Sequence, residues 1–432
     1  MMSKYSSSLE RIRSIQHSMT EEPTENSVRV LIISQLFPPE SMGGAHRWQK
    51  LAQNLPEEVE PHVLAPPPIV PLGTFERSSH LWESGEIDGV PITRLWTYQP
   101  TNDDWTGIGR ILNFTIFALF ASLYVFTHWW RYDCIVSFIG PHSTLLPGFV
   151  GRAFGRSWIV DIDDMWIDNA ADLGFVSRDS LTHQAVEKLE SYAFVLADGI
   201  TVITQTMAEQ YAAKHEMQAA DFVVIPNGID VERFAPSDGS TTSDRSIVYT
   251  GKLGQAQAFE PFFRGFAQLD TTYSLRIVGF GDRREELEEL TRELAINDRV
   301  SFEGPVDREE IPAILQSAAL AWVPLKTTHS LDYARPTKLL ETMAAGTPYI
   351  ASQVAEIETV TADSGAGRAV ENEPQKVANA MDELIANDDD RVRAGRRGTV
   401  FVAENHQWSV LGKRAGDMIF AGINTTSTAL LD

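Results

Sequence analysis

Two stretches of this chain repeat one pattern, a continuous apolar, β-branched run that breaks into a glycine loop. Val28-Arg29-Val30-Leu31-Ile32-Ile33-Ser34 leads into Phe37-Pro38-Pro39-Glu40-Ser41-Met42-Gly43-Gly44. Ile247-Val248-Tyr249-Thr250 leads into Gly251-Lys252-Leu253-Gly254-Gln255. A run apolar on both faces is the mark of a strand inside a parallel sheet, and parallel strands need helical crossovers. The first loop is followed by a helix expected over 45–55, which places backbone N–H groups where an anion can approach. It is not Gly-x-Gly-x-x-Gly, so a dinucleotide fingerprint is absent. A chain of 432 residues exceeds what one core usually holds. Two α/β domains are therefore expected, over 28–235 and 246–404, joined by a Ser-, Thr-, Asp- and Gly-rich stretch at 236–245. Residues 1–27 are polar, without the apolar centre of a signal peptide, and read as a flexible tail.

Charge narrows the function. A net charge of −23 argues against nucleic acid as a partner. Nine of the 36 basic residues are Lys; an acid-rich, Lys-poor surface is found in halophilic proteins, where charge supports solubility in salt. The single cysteine, Cys134, excludes an intrachain disulfide and a cysteine zinc cluster. Residues 111–130 carry no formal charge apart from His128, and Arg110 and Arg131 flank them. They are long enough to cross a bilayer. Strands of one sheet are expected on both sides, at 28–34 and 133–138, and a single crossing would separate them. A helix in the membrane interface, anchored by Trp129 and Trp130, or a core helix fits better.

The segment Tyr333 to Ser352 carries the most chemistry. Pro336 suits the first turn of a helix, Leu339, Leu340 and Met343 form its apolar stripe, and Gly346 and Pro348 end it. Glu341 is placed to accept a pair of hydroxyls such as a ribose diol. Lys338 and the positive end of the helix suit a phosphate. Elsewhere, Trp158-Ile159-Val160-Asp161-Ile162-Asp163-Asp164 reads as a strand ending in carboxylates, where open α/β sheets gather their ligands. The alternative for Asp163 and Asp164 is a helix cap or loop role. His142, following the strand near 137–139, is a further cleft candidate.

The Pro336-Thr337-Lys338-x-x-Glu341 string, with Met343-Ala344 behind it, resembles the donor motif of family 4 retaining glycosyltransferases of the GT-B fold. It is closest to a branch with an apolar membrane-associating helix. Pro226-Asn227-Gly228-Ile229-Asp230 and the Pro38-Pro39-x-x-x-Gly43-Gly44 loop are similar to further motifs of that family. The resemblance implies two Rossmann-like domains facing across a cleft, with the final helix, 405–425, returning to the first. It implies a nucleotide-sugar site of Gly43, Gly44, Arg47, Lys252, Gln257, Val306, Lys338 and Glu341. Asp164, then Asp163, then His142 are the catalytic candidates, with no metal in the chemical step and no cofactor beyond the nucleotide-sugar substrate. Two departures stand out: Tyr333 occupies the position of the family's first Glu, and Asp164 that of its usual His. The expected activity is transfer of a sugar from a UDP- or GDP-sugar to an acceptor, a lipid-linked glycan precursor at the cytoplasmic face of the membrane. A sugar-nucleotide 2-epimerase and a degenerate donor-binding subunit remain alternatives.

Overall fold

A computed structural model describes residues 27–40, 43–100, 107–172, 174–235, 244–269, 272–327 and 332–429. The polar tail up to residue 26, Ser41 and Met42 of the first loop, and 236–243 of the expected linker lie outside the described residues.

The first domain contains β1 (Val28–Ile33), β2 (Val59–Ala65), β3 (Trp82–Ile87), β4 (Val90–Leu95), β5 (Cys134–Ile139), β6 (Ser157–Ile162), β7 (Gly199–Val202) and β8 (Phe222–Val224). They form one eight-stranded sheet in the order β3-β4-β2-β1-β5-β6-β7-β8. Only the β3–β4 hairpin in it is antiparallel. The second domain contains β9 (Asp244–Thr250), β10 (Ser274–Val278), β11 (Val300–Gly304), β12 (Ala318–Val323), β13 (Tyr349–Ser352) and β14 (Gly367–Val370). These form a six-stranded parallel sheet ordered β11-β10-β9-β12-β13-β14.

The inner parts of both central strands, residues 30–33 of β1 and 247–249 of β9, are apolar because each sheet is covered on both faces. In β1, Leu31 and Ile33 enter one core layer while Val30 and Ile32 enter the opposite one. In β9, Val248 faces one layer and Ile247 and Tyr249 the other. Side chains buried this fully contribute roughly 1.5–3 kcal/mol each.

Three expected helices differ in detail. The one over 45–55 is a 3-10 turn, Gly43–His46, followed by an α-helix, Arg47–Gln53. The apolar helix runs Ile108–His128 and tightens to a 3-10 turn at Trp129–Arg131. The final helix, expected over 405–425, runs Trp408–Ala429, and a separate helix, Asp388–Asn405, precedes it. They part at His406 because that residue serves the crossing between domains. Its ring Nδ1 bonds the carbonyl of Asn227 at 2.9 Å, and its own carbonyl accepts from the Ile229 N–H at 2.9 Å. Leu411, Ala415 and Ile419 of the last helix then pack in the first domain's core.

Helix Ile108–His128 lies against the first sheet. Phe117, Ala118, Ala121 and Val125 are buried, and Asn113 bonds Gln35 at 2.9 Å. Its other face is also apolar and faces outward: Ile111 is 63% exposed, Leu119 58%, Leu123 57% and Phe126 57%. The helix is thus half core, half bare.

Candidate active site

The loops at the carboxyl ends of β6 and β7 meet the second domain at residues 332–336 and at helix Ala355–Ser364. Thr204 bonds the carbonyl of Tyr333 at 3.1 Å, and Thr206 bonds Glu356 at 3.1 Å. Arg335 joins Glu356 to His406, whose Nε2 lies 2.8 Å from its guanidinium. Arginine only donates and a carbonyl only accepts, so His406 is the neutral Nδ1–H tautomer. Burial, helped by Arg335, pushes its pKa down to about 3.

On the first domain, Asp163 and Asp164 follow β6 directly. Gly44 must be glycine, since a Cβ there would lie 2.2 Å from Asp163 Oδ2 and 2.4 Å from Phe138. The first loop therefore presses its backbone onto the carboxylate. Loss of solvent, then the adjacent Asp164, raise the Asp163 pKa to about 8, although Arg47 opposes the shift. Asp163 thus holds a proton at neutral pH and can donate it. Asp164 is also raised by burial, opposed by hydrogen bonds from Tyr333, Met165 N–H and Asn169.

Arg47 is not available to a diphosphate, contrary to expectation. It is 2% exposed. Its Nε and Nη2 form a paired contact with Asp161, both at 2.9 Å. Nη1 and Nη2 also reach the carbonyls of Pro226 and Ile225, and Nη1 reaches Asn227 Oδ1. Buried beneath the cleft, this guanidinium braces β6 against the chain that leaves for the second domain. Sequence alone shows an Arg one turn into a helix; its partner lies 114 positions away.

His142 is likewise engaged elsewhere. Its Nε2 lies 2.6 Å from Glu190 Oε1, and Glu190 is fully buried. Burial alone would raise Glu190, but hydrogen bonds from His142 and His215 and the charge of Lys214 hold it well below the usual carboxylate range. The same nest brings Asp168, His183 and Glu187 within 4.8 Å of one another. Lys214 and Arg178 already hold the Asp168 oxygens at 2.9 and 3.2 Å. Their positive charge opposes a metal ion there.

The second domain presents cations with few partners. Gly251 ends β9 at φ 130°, and a Cβ there would lie 3.3 Å from Lys338 Nζ. Lys338 donates to Tyr249 Oη at 2.9 Å and sits 4.5 Å above that ring. The Tyr249 hydroxyl in turn donates to the Lys252 carbonyl at 2.6 Å. Burial pushes the Lys338 ammonium down to about 8, only partly offset by Glu341. No carboxylate pairs with Lys338 or Lys252 among the described residues. Sequence does not single out Tyr249; its one signal is a tyrosine directly after Ile247-Val248 near the end of a strand.

Lys338 and Glu341 occupy the first turns of helix Thr337–Ala344, which starts after Pro336. Gly346, at φ 73°, reverses the chain into β13. Burial raises the Glu341 pKa, against the charges of Arg308, Lys338 and Arg233. Its carboxylate accepts no hydrogen bond among the described residues. Gln257 is turned toward its own loop, where its Oε1 accepts from Gly254 N–H at 3.0 Å. It is a brace for the glycine loop rather than the nucleotide-sugar contact expected of it. Val306 lies beyond β11 and packs partly buried against the core beside Glu341's helix.

Residues 42–228 match the family model described as "Glycosyl transferase 4-like domain", and residues 244–387 match "Glycosyl transferases group 1". The chain is 26% identical over 218 residues to D-inositol 3-phosphate glycosyltransferase of Corynebacterium urealyticum, covering 45% of this chain and 50% of that protein. It is 30% identical over 223 residues to phosphatidyl-myo-inositol mannosyltransferase of Mycolicibacterium smegmatis, covering 49% and 55%. The chain thus spans about half the length of the curated relatives it matches. Sucrose-phosphate synthase from Thermosynechococcus elongatus superimposes with a TM-score of 0.68 at 19% identity, covering 92% of this chain and 100% of that one. That likeness identifies the architecture as the GT-B fold.

Proposed function

We propose that this chain, which pairs a glycosyltransferase 4-like domain with a glycosyltransferase group 1 domain in a GT-B fold, moves a sugar from a nucleotide-diphosphate sugar to an acceptor. The observation that carries the reading is the asymmetry of the cleft. Lys338 and Lys252, two cations without carboxylate partners among the described residues, lie on the second domain at Gly251, while protonatable carboxylates lie on the first. A leaving diphosphate needs the former, and proton movement at the reacting centre needs the latter. Glu341, with its unengaged carboxylate, is the ribose contact in this reading. Lys338 holds the diphosphate, with Lys252 at its edge. Val306 lines the side of the base.

Transfer with retention of configuration, by attack on the face the diphosphate leaves, follows from the family resemblance. The same analogy leaves the chemical step without a metal. The acceptor is read as a lipid-linked glycan precursor. The bare apolar face of helix Ile108–His128 supports this, as do the inositol-lipid and inositol-phosphate substrates in the relatives' names. Peripheral residence on the inner face of the cell membrane, and stability in high salt from the acidic surface, belong to the same reading.

Calorimetry with UDP, GDP and their glucose or mannose derivatives, in high salt, tests the donor site. One nucleotide family is expected to bind, and Glu341→Ala to weaken it about tenfold. A folded protein that binds no nucleotide sinks the transferase reading. Nucleotide binding without transfer to any acceptor would favour a donor-binding subunit. Flotation with anionic vesicles tests the membrane contact. Leu119→Ser with Leu123→Ser should release the protein from them, and equal retention would refute the contact.

A further inference from the structure

Tyr333 belongs to the second domain by sequence and to the first by contact. It precedes helix Thr337–Ala344, yet it is 4% exposed within the first domain's core cluster. Its hydroxyl donates to Asp164 Oδ1, and accepts from Asn169 Nδ2 at 2.7 Å and from the Met165 N–H at 3.4 Å. Asn169 Nδ2 also donates to Asp164 Oδ1, at 2.5 Å. The three side chains close a ring in which the tyrosine's one donor and two acceptor sites are all used. Its main chain is held separately, through the Thr204 contact with its carbonyl.

We propose that Tyr333 is a positioning residue whose hydroxyl, delivered by the second domain, fixes the rotamer and ionisation of Asp164, so that this carboxylate is ready only when the domains are together. The proposal rests on the reading of Asp164 as a group acting in transfer. The titratable groups facing Asp164 are Asp163 on its own loop, Tyr211 on helix Gln205–His215 and Tyr333 itself. Of these, only Tyr333 donates a hydrogen bond to the carboxylate. An O–H donated to a carboxylate favours its charged form. Removing it raises the pH at which Asp164 ionises, and frees the carboxylate to turn.

The test uses the full chain as wild type, Tyr333→Phe, Asn169→Ala, Asp164→Asn and the Tyr333→Phe/Asp164→Asn pair. Carboxyl carbon NMR follows the Asp164 titration, assigned by its loss in Asp164→Asn; this needs no substrate. Tyr333→Phe, and Asn169→Ala to a lesser degree, should move that titration to higher pH. Nucleoside diphosphate release from UDP-glucose and GDP-mannose, with water as acceptor, gives the turnover profile. Its acid limb should move the same way in Tyr333→Phe, with turnover reduced about ten- to a hundredfold. UDP and GDP affinity should stay within about twofold, because the hydroxyl removes no donor contact. The paired variant should lose nothing beyond Asp164→Asn. An unmoved titration in Tyr333→Phe, or a loss of equal size in the Asp164→Asn background, overturns the proposal. Full activity in Asp164→Asn instead removes the catalytic reading of Asp164, and with it the functional half of the proposal.

Discussion

Arg47, buried, and Lys338, half-buried, are cations beside a glycine loop at the end of a central strand, one in each domain, and their surroundings are opposite. Arg47 meets a carboxylate and three further oxygen acceptors, with Asp161 bonded through two nitrogens. Lys338 meets a phenol oxygen and the face of the same ring. A buried charge with all its donors engaged is scaffold, because any ligand would have to displace those bonds. A half-buried charge with no anion beside it among the described residues is held at a cost that an incoming anion relieves. The two loops look alike in sequence, and only one is set up to take a diphosphate.

The comparison breaks most visibly at Arg47. Arg47→Ala leaves Asp161 buried and unpaired, so stability should fall by about 3–5 kcal/mol, measured by chemical unfolding. Wild-type stability with weakened nucleotide binding would instead make Arg47 a ligand contact. Lys338→Met should do the reverse: unfolding little changed and UDP or GDP affinity lower by about ten- to a hundredfold. Because burial sets the Lys338 pKa near 8, wild-type affinity should decline between pH 7 and pH 9, while the Met variant stays flat. A wild-type affinity indifferent to pH would remove Lys338 from the diphosphate site.

A further effect, spread over pH, concerns Asp163. Unfolded, it ionises near an ordinary aspartate value of about 3.9; folded, near 8. Between these values the native state holds more protons, so this group's contribution to stability is full at the acid end and is lost as pH rises toward 8. Asp163→Asn has no such loss. Its melting temperature relative to wild type should therefore climb from pH 5 to pH 9, by roughly 3 °C or more. A constant difference would mean that the carboxylate is solvated in the native protein.

Strands β1 and β9, the glycine loops and helix Thr337–Ala344 were legible because each is specified locally. Apolar runs mark burial on both faces, and Pro336 and Gly346 bracket the helix. Glu341 and Asp164 could be named for the same reason, since their positions follow from strand ends and helix starts. The engagement of Arg47, His142 and Gln257 is not legible, because it depends on Asp161, Glu190 and the fold of a loop. Their types and spacing say nothing of those partners. The ring of Tyr333, Asn169 and Asp164 joins residues up to 169 positions apart.

By itself, then, the sequence determined two parallel α/β units, the glycine turns and the helix that presents Lys338 and Glu341. Those follow from backbone propensity and periodic burial. The tertiary structure alone decided which charges are neutralised and which stay open. An ion pair or an unmatched ammonium is a property of what the fold brings within about 3–4 Å; Asp161 and Tyr249 reach their partners once their own sheets have formed, and Tyr333 only once the domains have met.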